Sequence, residues 1–195
     1  MGALLHRIRP ETGAGQDPAV TLENFRSRAA LARFLIPAAT GVAADLLTKW
    51  WAFEALGYYV DGQLRTRVIE AIPGLLHFEV TTNRGAVFGM GQGGVPVFLV
   101  ISILAVGFLL YLFAASGSQR LQQVLLGVLL AGVLGNMYDR MMYGHVRDMI
   151  HLFPRWGVFP WIFNVADSLL CVGVAVMLAQ GFFSHSRDKS RVGEA

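Results

Sequence analysis

Apolar residues in this chain come in long runs rather than in alternation. Val95 to Ala115 (VPVFLVISILAVGFLLYLFAA) carries no charge, and neither does Leu121 to Tyr138, which closes on GNMYDR. A helix advances about 1.5 Å per residue, so roughly 20 apolar residues cross the hydrocarbon core of a bilayer. A third run, about 161–183, contains FNVADSLLCVGVAVMLAQGFF, with Asp167 as its one formal charge. A fourth, FLIPAATGVAADLLTKWWAFEAL at about 34–56, is interrupted by Asp45 and Lys49. Trp50 and Trp51 follow at once, as an interfacial aromatic belt requires. The pattern predicts four transmembrane helices, at about 34–56, 95–115, 121–139 and 161–183.

The connecting segments differ in character. Residues 57–94 contain LLHFEVTT, a short β-rich stretch with the look of a strand. Residues 140–160 contain MMYGHVRDMIHLFPRWGVFP, which reads as a loop with aromatics spread along it. Residues 1–33 combine Gly, Pro and mixed charges without steady periodicity, and the expectation is a flexible tail. A cleaved signal peptide within residues 1–40 is the rival, but the polar lead and the short apolar run before Asp45 argue against it. Residues 184–195 form the second expected tail.

Composition narrows the class. Charged residues make up 15% of the 195, against about 25% in an ordinary soluble domain. Hydrophobic residues reach 54% and mean hydropathy is +0.50, as in a membrane protein. The single cysteine, Cys171, excludes an intramolecular disulfide and leaves the redox compartment open. A net charge of +3 is too small to argue for nucleic acid.

The distribution of charge says more. Arg7, Arg9, Arg26, Arg28 and Arg33 precede the first span, Arg120 sits in the turn between the second and third, and Arg187, Lys189 and Arg191 follow the fourth. Positive residues favour the cytoplasmic side, so both termini are expected there. Arg65, Arg67, Arg84, Arg140, Arg147 and Arg155 lie on the other side and make the bias moderate.

Polar groups at helix depth are costly in lipid and default to functional hypotheses. Asp45 and Lys49 are spaced i,i+4, acid before base, which is the favourable order for a pair on one helix face. Structural support of the helix end is the simpler account of that couple. Asn136, Asp139 and Arg140 share a face of the third helix. Its small residues Gly127, Ala131 and Gly135 recur every four positions and allow close approach of a neighbouring backbone. An interfacial Asp-Arg pair would explain two of those polar residues but not Asn136. Asn164 and Asp167 share a face of the fourth helix, and Asp148 lies among apolar neighbours in HVRDMIHLF. Carboxylates converging at one depth point to a site.

Two carboxylates held close cannot both ionise comfortably and share a proton. Such a pair can activate water as general base and protonate a carbonyl oxygen or leaving amine as general acid. Neither HExxH nor GxSxG is present. His145, Asp148 and His151 form an H-x2-D-x2-H array, but that spacing matches no common zinc pattern. No metal site and no cofactor are expected.

Five blocks of this sequence resemble, in order, those of the lipoprotein signal peptidases (signal peptidase II) of the bacterial inner membrane. DLLTK is similar to a D-x-x-x-K block, with Asp45 and Lys49. TNRGAVFGM resembles N-x-G-A-A-F, with Asn83, Gly85, Ala86 and Phe88. GVLGNMYDR resembles G-a-l-G-N-x-x-D-R, with Gly132, Gly135, Asn136, Asp139 and Arg140. VRDMI resembles V-x-D-F-I, with Asp148, and FNVADS matches F-N-v-A-D-S, with Asn164, Ala166 and Asp167. Val87, Met149 and Ala131 depart from the pattern, each by an apolar residue.

The resemblance implies an all-α membrane protein of four transmembrane helices with a small extracytoplasmic β-sheet cradle and an amphipathic segment. It implies an aspartic endopeptidase with Asp148 and Asp167 as catalytic dyad. Asn83, Gly85, Asn136, Arg140 and Asn164 would lie around the dyad and substrate, with Asp45, Lys49 and Asp139 holding the site together. The implied substrate is a prolipoprotein carrying a diacylglyceryl group, cut just before the lipidated cysteine near the outer face of the membrane. Globomycin is the implied inhibitor, and a monomer is expected. A small proton- or ion-coupled transporter is the alternative, but it needs polar residues continuing through the membrane, and the second span offers only Ser102 in its middle. A non-catalytic scaffold would explain the small-residue stripe but not the pairing of Asp148 with Asp167.

Overall fold

The computed structural model of the chain describes residues 22–85, 94–155 and 161–192. A single helical turn, α1 (Glu23–Arg26), leads into α2 (Arg28–Leu56), whose capping Ser27 accepts a hydrogen bond from the Ala30 N–H. Further along come α3 (Val95–Ala115), α4 (Arg120–Tyr143) and α5 (Val165–Val192). Among the described residues four helices are long and apolar enough to cross a membrane: α2, α3, α4 and α5 over Val165–Phe182.

Helix α4 is the axis of the bundle, packed by α2, α3 and α5. Lipid is as apolar as leucine, so close packing and internal hydrogen bonds must hold these helices together. The small-residue stripe of α4 supplies that closeness, and all of it faces α2. Gly127 lies against the Phe34 carbonyl, Ala131 meets Gly41, and a methyl group on Gly135 would fall 2.5 Å from Asp45 Oδ2. Around it, the rings of Phe34 and Phe113 stack with centroids 4.4 Å apart beside the buried Leu126.

At one end of the bundle sit two small antiparallel sheets. Strands β1 (Gly57–Val60) and β2 (Gln63–Thr66) form a hairpin closed by Asp61 and Gly62, both at positive φ (50° and 74°). An Asp-Gly pair suits such a turn because it tolerates two left-handed residues and matches the strands' twist. The second sheet has the order β3 (Ile69–Ile72), β4 (Leu76–Asn83), β5 (Val146–Leu152), β6 (Ile162–Phe163). Ala52 and Leu56 of α2 pack with Val80 and Met149 and fix the sheets to the bundle.

The β4–β5 ladder contains an irregularity that matters for the site. His77 pairs with His151 and Thr81 with Asp148, so four steps on β4 oppose three on β5. The extra residue is a bulge, which re-aims the side chains beyond it. It brings Thr81 and Asn83 beside the Asp148 end of β5.

Several expectations change. Residues 22–33, expected within a flexible tail, are helical from Glu23 on, apart from Ser27. Their anchors are side chains: Asn24 Nδ2 donates to the Phe113 carbonyl (2.8 Å) and to Ser116 Oγ (3.1 Å), and Arg33 Nε donates to Gln123 Oε1 (2.7 Å). Residues 1–21 lie outside the described part. Helix α4 runs on to Tyr143, where Gly144 at φ 70° ends it, and the expected loop beyond holds strand β5. Helix α5 starts at Val165 rather than near 161, because Ile162 and Phe163 pair with β5 first. It continues to Val192, past the expected start of the C-terminal tail, as neither glycine nor proline intervenes between Phe182 and Val192. The described residues of 57–94 form strands and turns up to Gly85, and residues 86–93, with Ala86, Val87 and Phe88, lie outside the described part.

Candidate active site

The site is built on a buried ionic lattice between α2 and α4. Lys49 Nζ lies 2.7 Å from Asp45 Oδ2 and 3.2 Å from Asp139 Oδ2, and donates to Asn136 Oδ1 at 3.1 Å. Asp45, Lys49 and Asp139 are fully buried. Buried charges are tolerable only when paired and hydrogen-bonded, and these are. Asp45 Oδ1 accepts from the Ala166 N–H (2.8 Å), tying the first turn of α5 to α2. Asp139 is completed by Arg147 of β5, whose guanidinium reaches Oδ1 (2.8 and 3.2 Å) and whose backbone N–H reaches Oδ2 (2.9 Å). The couple Asp45–Lys49 is thus part of a larger network, and the arginine partner of Asp139 is Arg147, not the adjacent Arg140.

A second layer of amides sits on this lattice. Asn164 immediately precedes α5 and caps it: its Oδ1 accepts from the Asp167 N–H at 2.9 Å. Its Nδ2 donates to Asp148 Oδ1 (2.6 Å) and lies 3.2 Å from Asn136 Oδ1. Asn136 Nδ2 donates to Asp167 Oδ1 at 2.7 Å. Asn83 of β4 also donates to the Asp148 carboxylate. Three asparagines therefore hold two carboxylates, and two of them are tied below: Asn136 to Lys49, and Asn164 to Asn136.

Asp148 and Asp167 line one cavity of about 640 Å³, flanked by α3, α4 and α5. Phe98, Ile101 and Ala105 of α3 and Leu170 of α5 make most of its wall apolar, while Asn83, Asn136 and Arg140 make one end polar. Arg140 Nη2 donates to the Gly85 carbonyl (3.2 Å), and its guanidinium lies over the Phe98 ring at 5.1 Å. Burial pushes the Asp148 carboxyl up to about 7, and the neighbouring Asp167 carboxylate adds to the effect. A carboxyl poised there can hold or release a proton at neutral pH.

The structure brings together Asn83, Gly85, Asn136, Arg140, Asp148, Asn164 and Asp167 around the cavity, with Asp45, Lys49 and Asp139 beneath. His145 and His151 do not join Asp148: His151 Nδ1 contacts Glu79 Oε1, and among the described residues no three His, Cys, Asp or Glu side chains are grouped as a metal site would need. Arg147 was missed by sequence reasoning. The available signal was its place beside Asp148 in a stretch of β-rich residues, where alternation sends neighbours to opposite faces.

Residues 38–183 match the family model described as signal peptidase (SPase) II. The chain belongs to the signal peptidase II family. It is similar to the lipoprotein signal peptidase of Geobacillus thermodenitrificans, 34% identical over 157 residues, covering 80% of this chain and 93% of that one. The corresponding protein of Symbiobacterium thermophilum is 35% identical over 144 residues, covering 73% and 90%. Two solved structures, each described as a bacterial membrane enzyme determined by the in meso method, share the fold. One, at 2.3 Å resolution, gives a TM-score of 0.67 at 31% identity over 78% of this chain and 88% of the other. The second, at 1.9 Å resolution, gives 0.63 at 31% identity over 74% and 89%. A signal peptidase II is a protease with membrane-spanning helices, and the four apolar helices here agree with that.

Proposed function

We propose that the protein is an intramembrane aspartic endopeptidase that removes signal peptides from diacylglyceryl-modified prolipoproteins, cutting just before the lipidated cysteine. The observation that carries this reading is that two carboxylates, the buried Asp148 and the half-buried Asp167, line one cavity, each held by an asparagine. Its relatives bear the name lipoprotein signal peptidase.

The chemistry follows from a dyad sharing one proton. The ionised carboxylate takes a proton from water as its oxygen attacks the scissile carbonyl carbon, and the protonated partner gives its proton to the carbonyl oxygen. The tetrahedral intermediate collapses as a proton passes to the leaving amine of the cysteine, the C–N bond breaks, and the dyad regains its single proton. No covalent enzyme intermediate forms, and no metal or cofactor takes part. Arg140, whose Nε has no hydrogen-bond partner among the described residues, would donate to a backbone carbonyl of the substrate. The apolar walls from α3 and α5 suit acyl chains, which would hold the scissile bond at the depth of the dyad.

In this reading residues 34–183 are the peptidase domain in the bacterial inner membrane, with both termini cytoplasmic, the sheets forming an outer cradle, and the dyad near the outer face. The protein acts as a monomer and binds globomycin in the cavity. Cleavage of a purified diacylglyceryl-modified prolipoprotein, with and without globomycin, tests the proposal. Cleavage blocked by globomycin is expected. No cleavage, or equal cleavage of the unmodified precursor, would refute it.

A further inference from the structure

We infer that Arg147 is a positioning residue for Asp148, acting through Asp139 rather than by touching substrate. The inference rests on the peptidase reading above and adds a residue outside the proposed dyad and its asparagines.

The backbone of Arg147 is held on both sides, through the peptide unit before it and the one after it. The Arg147 N–H is taken by Asp139 Oδ2 of α4 (2.9 Å), and the Arg147 carbonyl, which leads directly into Asp148, lies 3.4 Å from Asn164 Nδ2 before α5. The guanidinium repeats the first attachment, with Nη2 2.8 Å and Nε 3.2 Å from Asp139 Oδ1. It packs over the Tyr143 ring at 4.3 Å and near Phe53 of α2 at 5.9 Å. Arg147 is 7% exposed, so these bonds are not in competition with bulk water. One side chain thus fixes the start of β5 to α4 and α2 at the residue before Asp148. Lysine keeps the charge but not the planar array of donors needed to reach Asp139 while lying over an aromatic face.

Arg147 also balances charge. The lattice under the dyad contains Asp45 and Asp139 against Lys49 and Arg147. Asp148 itself is faced by Asn83 from β4, Asn164 and Asp167 from the α5 end, and, at longer range, Lys49 of α2 and Arg140 of α4. Removing the guanidinium leaves Asp139 sharing Lys49 with Asp45, an excess negative charge in the lattice that weakens what Lys49 offers Asp148 and so favours its protonated form.

The two effects separate in two variants, assayed as full-length protein in detergent with a diacylglyceryl-modified prolipoprotein. Arg147→Lys retains charge and loses geometry: kcat falls about 10- to 100-fold with KM within about twofold, the thermal midpoint is nearly unchanged, and the pH profile stays in place. Arg147→Met loses both, so the same fall in kcat is joined by displacement of the alkaline limb to higher pH. Wild-type kcat in Arg147→Lys, a loss confined to KM, or a pH profile unmoved in Arg147→Met would overturn the assignment. So would loss of folded protein in Arg147→Lys, which would make the clamp a support of the fold. A wild-type protein that cleaves nothing fails differently: it refutes the peptidase reading itself.

Discussion

Asn164 touches both candidate carboxylate residues: its Nδ2 donates to Asp148 Oδ1 at 2.6 Å, and its Oδ1 accepts from the backbone N–H of Asp167 at 2.9 Å. A single amide therefore sets the position of Asp148 relative to the first turn of α5. In Asn164→Ala, kcat should fall about 10²-fold, because displacement of a reacting group by an ångström costs that much. The lost cap should also cost about 1 kcal/mol of stability. Asn164→Ser keeps a capping oxygen but no Nδ2, and should recover the thermal midpoint without the rate. Recovery of both would show that only the cap matters.

Titration of Asp148 should be visible in stability. An acid whose folded-state pKa lies above its unfolded value adds stability below the unfolded value, near 3.8, and loses that stability as pH climbs through about 7. The wild-type protein should therefore lose thermal stability between pH 5 and pH 8 through this group. Asp148→Asn removes the titration and should be the more stable of the two at pH 8, with the gap closing toward pH 5. Parallel midpoints for both proteins across that range would contradict the raised pKa.

The lattice under Asp148 and Asp167 should be sensitive to a broken pair. Lys49→Met leaves Asp45 and Asp139 buried without their shared cation, and should destabilise by about 3–5 kcal/mol. Gly135→Ala tests the same point sterically, since the added methyl meets Asp45 Oδ2 at 2.5 Å. Both should lower the thermal midpoint in detergent. A midpoint unchanged in Gly135→Ala would mean that α2 and α4 can separate there at little cost.

At the far end of the bundle the polar anchors should matter for stability alone. Asn24→Ala removes two buried hydrogen bonds, to Phe113 and Ser116, and should cost about 1–3 kcal/mol, while the Phe113 carbonyl keeps its bond from Ser116 Oγ. Cleavage by the folded fraction should keep the wild-type kcat. A change in kcat would reveal coupling between the two ends.

Much of this architecture was legible in the chain because lipid imposes a simple rule. Val95–Ala115 is a charge-free run and a helix over those same residues, for no irregular backbone can satisfy its own amides in hydrocarbon. The stripe Gly127, Ala131, Gly135 marked the α2-facing side of α4, and the acids expected at helix depth lie together around and beneath one cavity, the candidate site. What stayed hidden depends on partners distant in sequence. Strand β5 looked like a loop because its pairing residues, Leu76–Asn83, lie far upstream and the β4 bulge obscures the register. Residues 22–33 looked unstructured because the groups that order them are Phe113, Ser116 and Gln123. Arg147 looked like one more outer arginine until Asp139 was seen to receive it.

The dyad assignment has a direct test: single-turnover cleavage of a diacylglyceryl-modified prolipoprotein by Asp148→Asn and Asp167→Asn, each compared with wild type. Both substitutions keep size and should preserve the fold, globomycin binding and substrate binding. Each variant alone should lower the cleavage rate by about 10²- to 10⁴-fold, the range that general acid–base groups supply. Cleavage at the wild-type rate by either variant would contradict the account.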